Sequence, residues 1–247
     1  MIRRTVLLLL CFALGSAAAS PAGAENLRMT ASTWPPYIDE ELHKKGFVVA
    51  LVSEALKRAG YDTSMVIEPW PRALQATQNG DYDINCSLWF TDTRAAALAF
   101  SEPYIESPIT FIQRSDSDFR FNDRSDLVGL RIGIVDDYAY SEQAYDTTGI
   151  EILEADSVKE NLKRLLSGDL DLVLADRRVA LYETSELWAA QKITVSLKPL
   201  DTRGLRIAVS KKREDHAEII SAFEQAIAEM KTDGTYNAIL ATYRVSY

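Results

Sequence analysis

The chain has 247 residues, 47% of them hydrophobic, and a formal net charge of −9 at pH 7. This length is sufficient for a hydrophobic core, and the acidic balance argues against nucleic acid and anionic membranes as partners. Cys11 falls in a segment that we expect to be removed, which leaves Cys86 without a disulfide partner. Because His43 and His216 lie far apart, we expect neither a zinc site nor any other metal or cofactor.

The first 24 residues have the three parts of a secretory signal peptide. Arg3 and Arg4 make the start basic, and the apolar run 6–14 is too short to span a bilayer. A small-residue stretch ends in Ala22 to Ala24, which fits the cleavage pattern. The alternative is a buried N-terminal helix. We expect export and cleavage near Ala24, which would change the net charge from −9 to −11 by removing the two arginines.

Strands and helices alternate along the first part of the mature chain. Apolar residues at helical spacing predict a helix over 47–59 that ends at Gly60. The other predicted elements are strands over 27–32, 65–68 and 83–88 and a short helix over 72–77. This order is typical of an α/β protein with a mostly parallel sheet.

The same alternation restarts in the second part. Strands are predicted over 131–135, 150–153, 171–175 and 205–209, and helices over 217–230 and 236–243. Ser157 and Glu160 form a predicted capping box at the start of another helix, which Gly168 ends. One unit occurs in both parts, since Gly80 and Gly168 each follow a helix and precede an aspartate that enters a strand. This repeat favours two similar lobes over one large domain.

A set of short motifs carries a family resemblance. In chain order they are Trp34-Pro35-Pro36-Tyr37, Trp70, 79–83, 91–94, 100–104, 127–129, 168–171 with Asp176, and 231–236. In this order and spacing the chain resembles the bacterial extracellular solute-binding proteins of family 3, periplasmic receptors that feed polar amino acids to ABC importers. The resemblance covers nearly all of the mature chain.

The resemblance implies a periplasmic binding protein fold, in which two α/β lobes are joined by two crossing hinge strands. Lobe 1 would comprise residues 25–110 and 204–247, and lobe 2 would be the inserted segment 111–203. The hinge would lie near 109–113 and 202–207. A ligand in the cleft would be enclosed when the hinge closes.

Two charged residues are candidates for binding the ligand. Thr91 can cap a helix whose first turn holds Arg94, where a guanidinium can bind a carboxylate through two parallel hydrogen bonds. The resemblance implies this role toward the ligand α-carboxylate, whereas the alternative is a surface arginine paired with Asp92 or Glu102. Asp176 follows an apolar strand, and the resemblance implies that it holds the α-ammonium group. From the residues alone, Asp176 can instead be the N-cap of the next helix.

Aromatic residues would form much of the cleft. Trp34 and Tyr37 flank two prolines, which fix the backbone, and the resemblance implies that Trp34 packs against the ligand side chain. Ordinary core packing is the alternative for these two residues. Trp70, Trp89 and Tyr138 are further aromatic candidates. The resemblance also implies hydrogen bonds from segment 85–90, which includes Ser87. Such a cleft suits a ring-bearing, apolar or cationic solute.

The chain departs from the family pattern in two places. Segment 83–94 is one residue shorter, and Asp136, Asp137 and Tyr138 replace a glycine-threonine motif that usually donates to the ligand carboxylate. Two aspartates in the cleft would repel an anion. We therefore expect a zwitterionic or cationic amino-acid-like solute rather than a dicarboxylate.

Three classes of function are compatible with these features. The first is a monomeric, non-enzymatic binding protein that delivers a solute to the permease of an ABC importer. The second is a sensory subunit that docks on a membrane receptor. The third is an enzyme resembling the periplasmic cyclohexadienyl dehydratases of this fold, which would need a positioned general acid. Glu102 and Glu106 are candidates for that acid, but the sequence offers them no recognisable partner.

Overall fold

The computed structural model of the protein describes residues 24–136, 138–140 and 149–243. The predicted signal peptide up to residue 23 and Asp137 lie outside these residues, so the expectations about them stay predictions. Within the described ranges, no helix has both the length and the apolar character needed to cross a membrane.

The strands and helices follow the predicted alternation. The first part of the chain forms β1 (Glu25–Ala31), α1 (Phe47–Arg58), β2 (Tyr61–Ile67), α2 (Trp70–Asn79), β3 (Ile84–Trp89), α3 (Asp92–Ala95), β4 (Leu98–Phe100) and β5 (Ile105–Arg114). The remainder forms β6 (Arg131–Val135), β7 (Glu151–Ala155), α4 (Val158–Ser167), β8 (Leu172–Asp176), α5 (Arg177–Glu186), β9 (Ile193–Val195), β10 (Asp201–Ser210), α6 (His216–Thr232) and α7 (Thr235–Thr242).

Two strands are longer than predicted. β2 begins four residues before the predicted segment 65–68, because it lies at the sheet edge and alternates half-buried with exposed residues. β10 begins before the predicted segment 205–209, in a stretch that is less buried than its apolar end. In β10 the apolar pattern marked only the part that enters the core.

The sheet order shows two α/β lobes of the same topology. The strands follow the order β2-β1-β3-β10-β5-β8-β6-β7, with β4 paired to β10 and β9 paired to β5. The trio β2-β1-β3 is parallel, and so is the trio β7-β6-β8. The antiparallel strands β10 and β5 stand between them. The predicted fold of two α/β lobes joined by two crossing strands is therefore confirmed.

The crossing strands exchange partners along their length. Residues 105–109 of β5 pair with residues 201–205 of β10. Beyond that contact, β5 pairs with β8 in one lobe and β10 pairs with β3 in the other. The mutual pairing overlaps the predicted segment 202–207, but on β5 it lies mostly before the predicted segment 109–113.

The repeated sequence unit has an equivalent structure in each lobe. The Asp83 carboxylate accepts hydrogen bonds from the backbone and side-chain nitrogens of Arg28 at 2.8 and 3.1 Å. The Asp171 carboxylate accepts the corresponding bonds from Arg131 at 2.9 and 3.0 Å. In both units a left-handed glycine ends the preceding helix, with φ of 82° at Gly80 and 87° at the second glycine. Each aspartate thus links the start of its own strand to an arginine of the neighbouring strand.

The helix start at Ser157 differs in detail from the prediction. Ser157 Oγ accepts a hydrogen bond from the Glu160 amide at 3.2 Å, as an N-cap should. The described hydrogen bonds do not include the return bond from the Glu160 carboxylate, so the predicted capping box is half formed. The serine therefore caps the helix through one hydrogen bond to the Glu160 amide.

Candidate ligand-binding site

The two lobes face each other at the carboxyl ends of their parallel strands. In each trio the strand that comes first in the sequence, β1 or β6, lies between the other two. The two strands that follow it in the chain therefore lie on opposite sides of it. Ligands of open α/β sheets bind outside the carboxyl ends at such switch points. The chain after β1 contacts the chain after β6, since the Trp34 and Tyr138 ring centres are 6.4 Å apart.

A cavity of about 40 Å³ lies at this meeting point. Six of the nine predicted site residues line it: Trp34, Trp70, Ser87, Trp89, Arg94 and Tyr138. Among the described residues, Ser32 and Leu205 also line the cavity, and they were not predicted as site residues. Their positions in the chain could have identified them, because Ser32 directly follows β1 and Leu205 belongs to the crossing strand β10.

Arg94 is held in a fixed orientation inside the first lobe. Thr91 Oγ1 caps α3 by accepting a hydrogen bond from the Arg94 amide at 3.1 Å, as predicted. The guanidinium donates to the carbonyl oxygen of Trp89 at 2.9 Å and lies 5.0 Å from the ring centre of Trp70. The residue is 8% exposed, so the alternative of a surface arginine is wrong. Thr91 itself is not among the described lining residues, and it contributes by capping α3.

Aromatic rings from both lobes enclose the cavity. The Trp89 ring packs edge-on against Trp34 and Tyr138, with centre distances of 5.7 Å in each pair. Tyr140 of the second lobe was not predicted as a site residue. Its ring centre lies 6.1 Å from that of Trp89, and its hydroxyl donates to the carbonyl oxygen of Leu174. Burial raises the pKa of the Tyr138 hydroxyl above its ordinary value, so the hydroxyl is neutral near pH 7.

Tyr37 supports the cavity wall from behind. Its ring stacks on Trp34 with centres 4.2 Å apart and planes 12° apart, and its other side packs on Phe47. Tyr37 is fully buried, and it does not line the cavity as we had predicted for a presented aromatic. Burial and the nearby Asp176 charge raise the pKa of its hydroxyl. Tyr37 therefore orients Trp34 and presents a neutral hydroxyl to the second lobe.

The Asp176 carboxylate accepts four hydrogen bonds from the protein. Oδ1 accepts from the amides of Arg178 at 2.8 Å and Val179 at 3.0 Å. Oδ2 accepts from the hydroxyls of Ser107 at 2.7 Å and Tyr37 at 2.8 Å. Asp176 is 1% exposed, and burial raises its pKa. Asp176 is therefore the N-cap of α5, as the alternative proposed. The predicted contact with a ligand ammonium group stays a prediction.

The acidic residues after β6 do not line the cavity in the described part of the chain. Asp136 is exposed and is absent from the cavity lining, while Asp137 lies outside the described residues. The expectation that both aspartates repel an anion in the cleft therefore has no support from the position of Asp136. Among the residues named in that expectation and described in the structure, Asp176 is the remaining carboxylate that could disfavour a dicarboxylate solute.

No group of histidine, cysteine and carboxylate side chains suited to a metal occurs among the described residues. His43 is exposed and packs against Tyr243, with ring centres 6.0 Å apart. His216 Nδ1 lies 2.7 Å from the carbonyl oxygen of Arg213. Each histidine thus has a local structural contact away from the cavity.

Relatives of this architecture are binding proteins by name. The chain is 25% identical over 211 residues to the L-cystine-binding protein TcyJ of Escherichia coli K12, covering 84% of this chain and 77% of the relative. It is 25% identical over 240 residues to the ABC transporter arginine-binding protein 1 of the same strain, covering 94% and 96% of the two chains.

Solved structures agree with the fold. An ancestral arginine-binding protein bound to arginine superposes with a TM-score of 0.74 at 25% identity, covering 90% of this chain and 99% of that one. The family model for bacterial extracellular solute-binding proteins, family 3, matches residues 28–246. The match spans both lobes and the crossing strands, and the chain therefore belongs to that family.

Proposed function

We propose that this protein captures a small amino-acid-like solute in the cleft between its lobes and delivers it to the membrane permease of an ABC importer. Export and removal of the leader near Ala24 would place it in the periplasm as a monomer. Residues 25–110 and 204–247 would move as lobe 1, and residues 111–203 would move as lobe 2. The exchange of partners along β5 and β10 supports these boundaries.

The observation that carries the proposal is a buried arginine at the edge of an aromatic cavity between the lobes. Arg94 is 8% exposed, and Trp70 and the Trp89 carbonyl hold its guanidinium. A guanidinium in this setting can bind a carboxylate with two parallel hydrogen bonds. The rings of Trp34 and Tyr138 come from opposite lobes and both line the cavity, so a solute that contacts both rings would favour closure.

The named relatives support the class of solute and the partner. Their names specify cystine and arginine as bound molecules, and one name includes an ABC transporter. Both solutes carry an α-carboxylate, which is the group that Arg94 is suited to bind. These names favour delivery to an importer over the sensory alternative.

Binding is also better supported than catalysis. The two candidate acids, Glu102 and Glu106, are exposed and lie outside the cavity lining. A general acid must stand within hydrogen-bond reach of the reacting group. The described cavity lining contains serine, tryptophan, tyrosine, leucine and arginine side chains but no carboxyl group or imidazole.

Ligand that co-purifies with the exported protein provides the test. The protein is purified from the periplasm, and native mass spectrometry identifies any bound small molecule. Calorimetry on protein that has been unfolded, washed and refolded then measures its affinity. We expect one solute per chain with a carboxylate group. A protein that carries no solute and binds none from a panel of amino acids, organic acids and polyamines would contradict the proposal.

A further inference from the structure

The aromatic rings of the cavity specify the cationic end of the solute more closely than the function proposed above. Resting on that function, we propose that the cavity binds a small betaine-like zwitterion, whose methylated ammonium group lies among the rings and whose carboxylate meets Arg94. Such a solute is an amino acid with methyl groups in place of its ammonium protons. The arrangement of the rings, the charges beside the cavity and its small volume support this class.

Three aromatic rings of the cavity lining stand nearly perpendicular to one another. The planes of Trp34 and Trp89 meet at 82°, and the Tyr138 plane makes an angle of 88° with each of them. The ring centres are 5.7 to 6.4 Å apart. Cation–π attraction acts within about 6 Å of a ring centre, so these separations allow one cation to interact with all three rings. The three rings therefore form a corner suited to a single cationic group.

Protein contacts hold these rings in place. Tyr37, which is not among the described lining residues, stacks on Trp34 with ring centres 4.2 Å apart. The Tyr140 ring centre lies 6.1 Å from that of Trp89 and 5.8 Å from that of Tyr138. Cages of aromatic rings bind quaternary ammonium groups, because the methyl groups carry part of the positive charge and contact the rings. Rings that are already fixed lose little freedom when such a group binds.

The charges beside the cavity differ in sign between the lobes. In the first lobe, Arg94 lies over the Trp70 ring, 5.0 Å from its centre, and supplies the positive charge that a carboxylate needs. In the second lobe, burial is the main cause of the raised pKa of the Tyr138 hydroxyl, and the negative charges of Asp176 and Glu183 raise it further. These two carboxylates oppose an anion at Tyr138 and favour a cation there. A zwitterion with its cation toward Tyr138 matches both signs.

The cavity favours a compact solute. Its volume is about 40 Å³, whereas one water molecule needs about 10–15 Å³ of such space. The Arg94 guanidinium donates to the carbonyl oxygen of Trp89 at 2.9 Å, so the arginine lies beside a residue of the aromatic corner. A carboxylate at Arg94 and a cation at the rings are therefore close together. A zwitterion with one carbon atom between its two charged groups meets this requirement.

Two solutes of the same shape and different charge test the proposal. Glycine betaine is compared with tert-butylacetate, in which a carbon atom replaces the quaternary nitrogen. Each is titrated by calorimetry into the exported protein after bound solute has been removed. We expect glycine betaine to bind about tenfold more tightly or better, because the neutral molecule makes no cation–π contact. Glycine is titrated beside them and should bind more weakly than glycine betaine, because it lacks the methyl groups that contact the rings.

A variant of one ring tests its contact with the cation. Trp89→Leu keeps an apolar side chain and removes the ring, so affinity for glycine betaine should fall about tenfold or more. Affinity for tert-butylacetate should change less, by about threefold at most. Trp188→Leu is the matched control, because Trp188 is 94% exposed and is not among the described lining residues. Circular dichroism checks the fold, and equal losses for both solutes in Trp89→Leu would contradict a role of this ring toward the cation.

The outcomes separate this proposal from the proposed function. If tert-butylacetate or glycine binds as tightly as glycine betaine, the assignment of a methylated cation is overturned while a solute-binding function stays intact. Binding of another amino acid by a protein that does not bind glycine betaine has the same consequence. Failure of all three solutes and of the broader solute panel would overturn the proposed function and this assignment with it. The comparison in the wild-type protein does not depend on the folding of any variant.

Discussion

The Tyr37 hydroxyl donates a hydrogen bond to Asp176 Oδ2 at 2.8 Å, across 139 residues of sequence. Tyr37 follows β1 in the first lobe, and Asp176 ends β8 in the second. Ser107 of the crossing strand β5 donates to the same oxygen at 2.7 Å. One buried carboxylate oxygen therefore links both lobes to a strand that joins them.

Removing the tyrosine hydroxyl tests how much its hydrogen bond to Asp176 contributes to the free energy of unfolding. Tyr37→Phe keeps the ring and leaves Asp176 with one donor fewer, so the free energy of unfolding should fall by about 1–3 kcal/mol. Urea unfolding followed by circular dichroism measures the loss. Tyr182→Phe is a control on the half-buried surface of α5 and should change stability by less than about 0.5 kcal/mol. Equal stability of the two variants would show that the link adds nothing to stability.

Arg94 should determine the affinity for the carboxylate group. Arg94→Ala should weaken binding by well over tenfold, because truncating one partner of a buried charged pair costs about 2–5 kcal/mol. Arg94→Lys keeps the charge but loses the two-pronged geometry, so it should recover only part of the affinity. Calorimetry with the co-purifying solute measures both, and circular dichroism checks the fold. Unchanged affinity in Arg94→Ala would place the carboxylate site elsewhere.

Contacts of Tyr138 with the opposite lobe should favour the closed form. Its ring lies edge-on to Trp34 at 6.4 Å and to Trp89 at 5.7 Å. Each such pair contributes about 0.5–1.5 kcal/mol, so Tyr138→Ala should weaken solute binding about tenfold. Tyr138→Phe retains the ring and serves as the control. Small-angle scattering should show a larger radius for the alanine variant, and wild-type affinity with an unchanged radius would contradict this role.

Local signals in the sequence were sufficient for part of the site. Thr91 caps the helix only three residues before Arg94, so the position of the arginine followed from neighbouring residues. The two glycine-aspartate units likewise identified the repeated lobes, because each unit joins a helix end to its own strand. Alternating strands and helices then indicated the α/β class without long-range information.

Long-range pairings could not be predicted in the same way. The sequence analysis predicted that Tyr37 and Asp176 both line the cleft. It could not predict the hydrogen bond between them, because that bond depends on how the lobes pack. Tyr140 and Ser107 carried no local motif, and the structure places both in the contact between lobes. Asp136 shows the converse failure, because it follows the strand end directly and is nevertheless exposed. Side-chain direction beyond a strand end is decided by packing rather than by spacing.

The two equivalent aspartates, Asp83 and Asp171, should stabilise the protein to different extents. Burial raises the pKa of Asp83, but hydrogen bonds from Arg28 and Arg213 outweigh it and lower the pKa below the ordinary 3.8. Hydrogen bonds from Arg131 lower the pKa of Asp171 in the same direction. The Asp83 side chain is 8% exposed and the Asp171 side chain is 32% exposed. Screening by water should therefore weaken the Asp171 pair more.

The sign of the pH effect follows from these lowered values. A carboxyl group whose pKa is lower in the folded than in the unfolded state stabilises the fold above its unfolded pKa. That stability is lost as the pH falls through the folded value. Acidification below about pH 4 should therefore destabilise the wild-type protein. Asp83→Asn should cost about 2–3 kcal/mol at pH 7 and Asp171→Asn about 1 kcal/mol, and both should flatten the acid dependence.

Urea unfolding at pH 7, 5, 4 and 3 measures both aspartate variants beside an Asp118→Asn control. Asp118 is exposed, so its variant should follow the wild-type curve within about 0.5 kcal/mol. The decisive comparison is the order of the losses, because the two units share one geometry and differ in burial. A larger loss in Asp171→Asn than in Asp83→Asn would show that burial does not set the strength of these pairs. An acid dependence as steep in both variants as in wild type would show that other carboxyl groups control it.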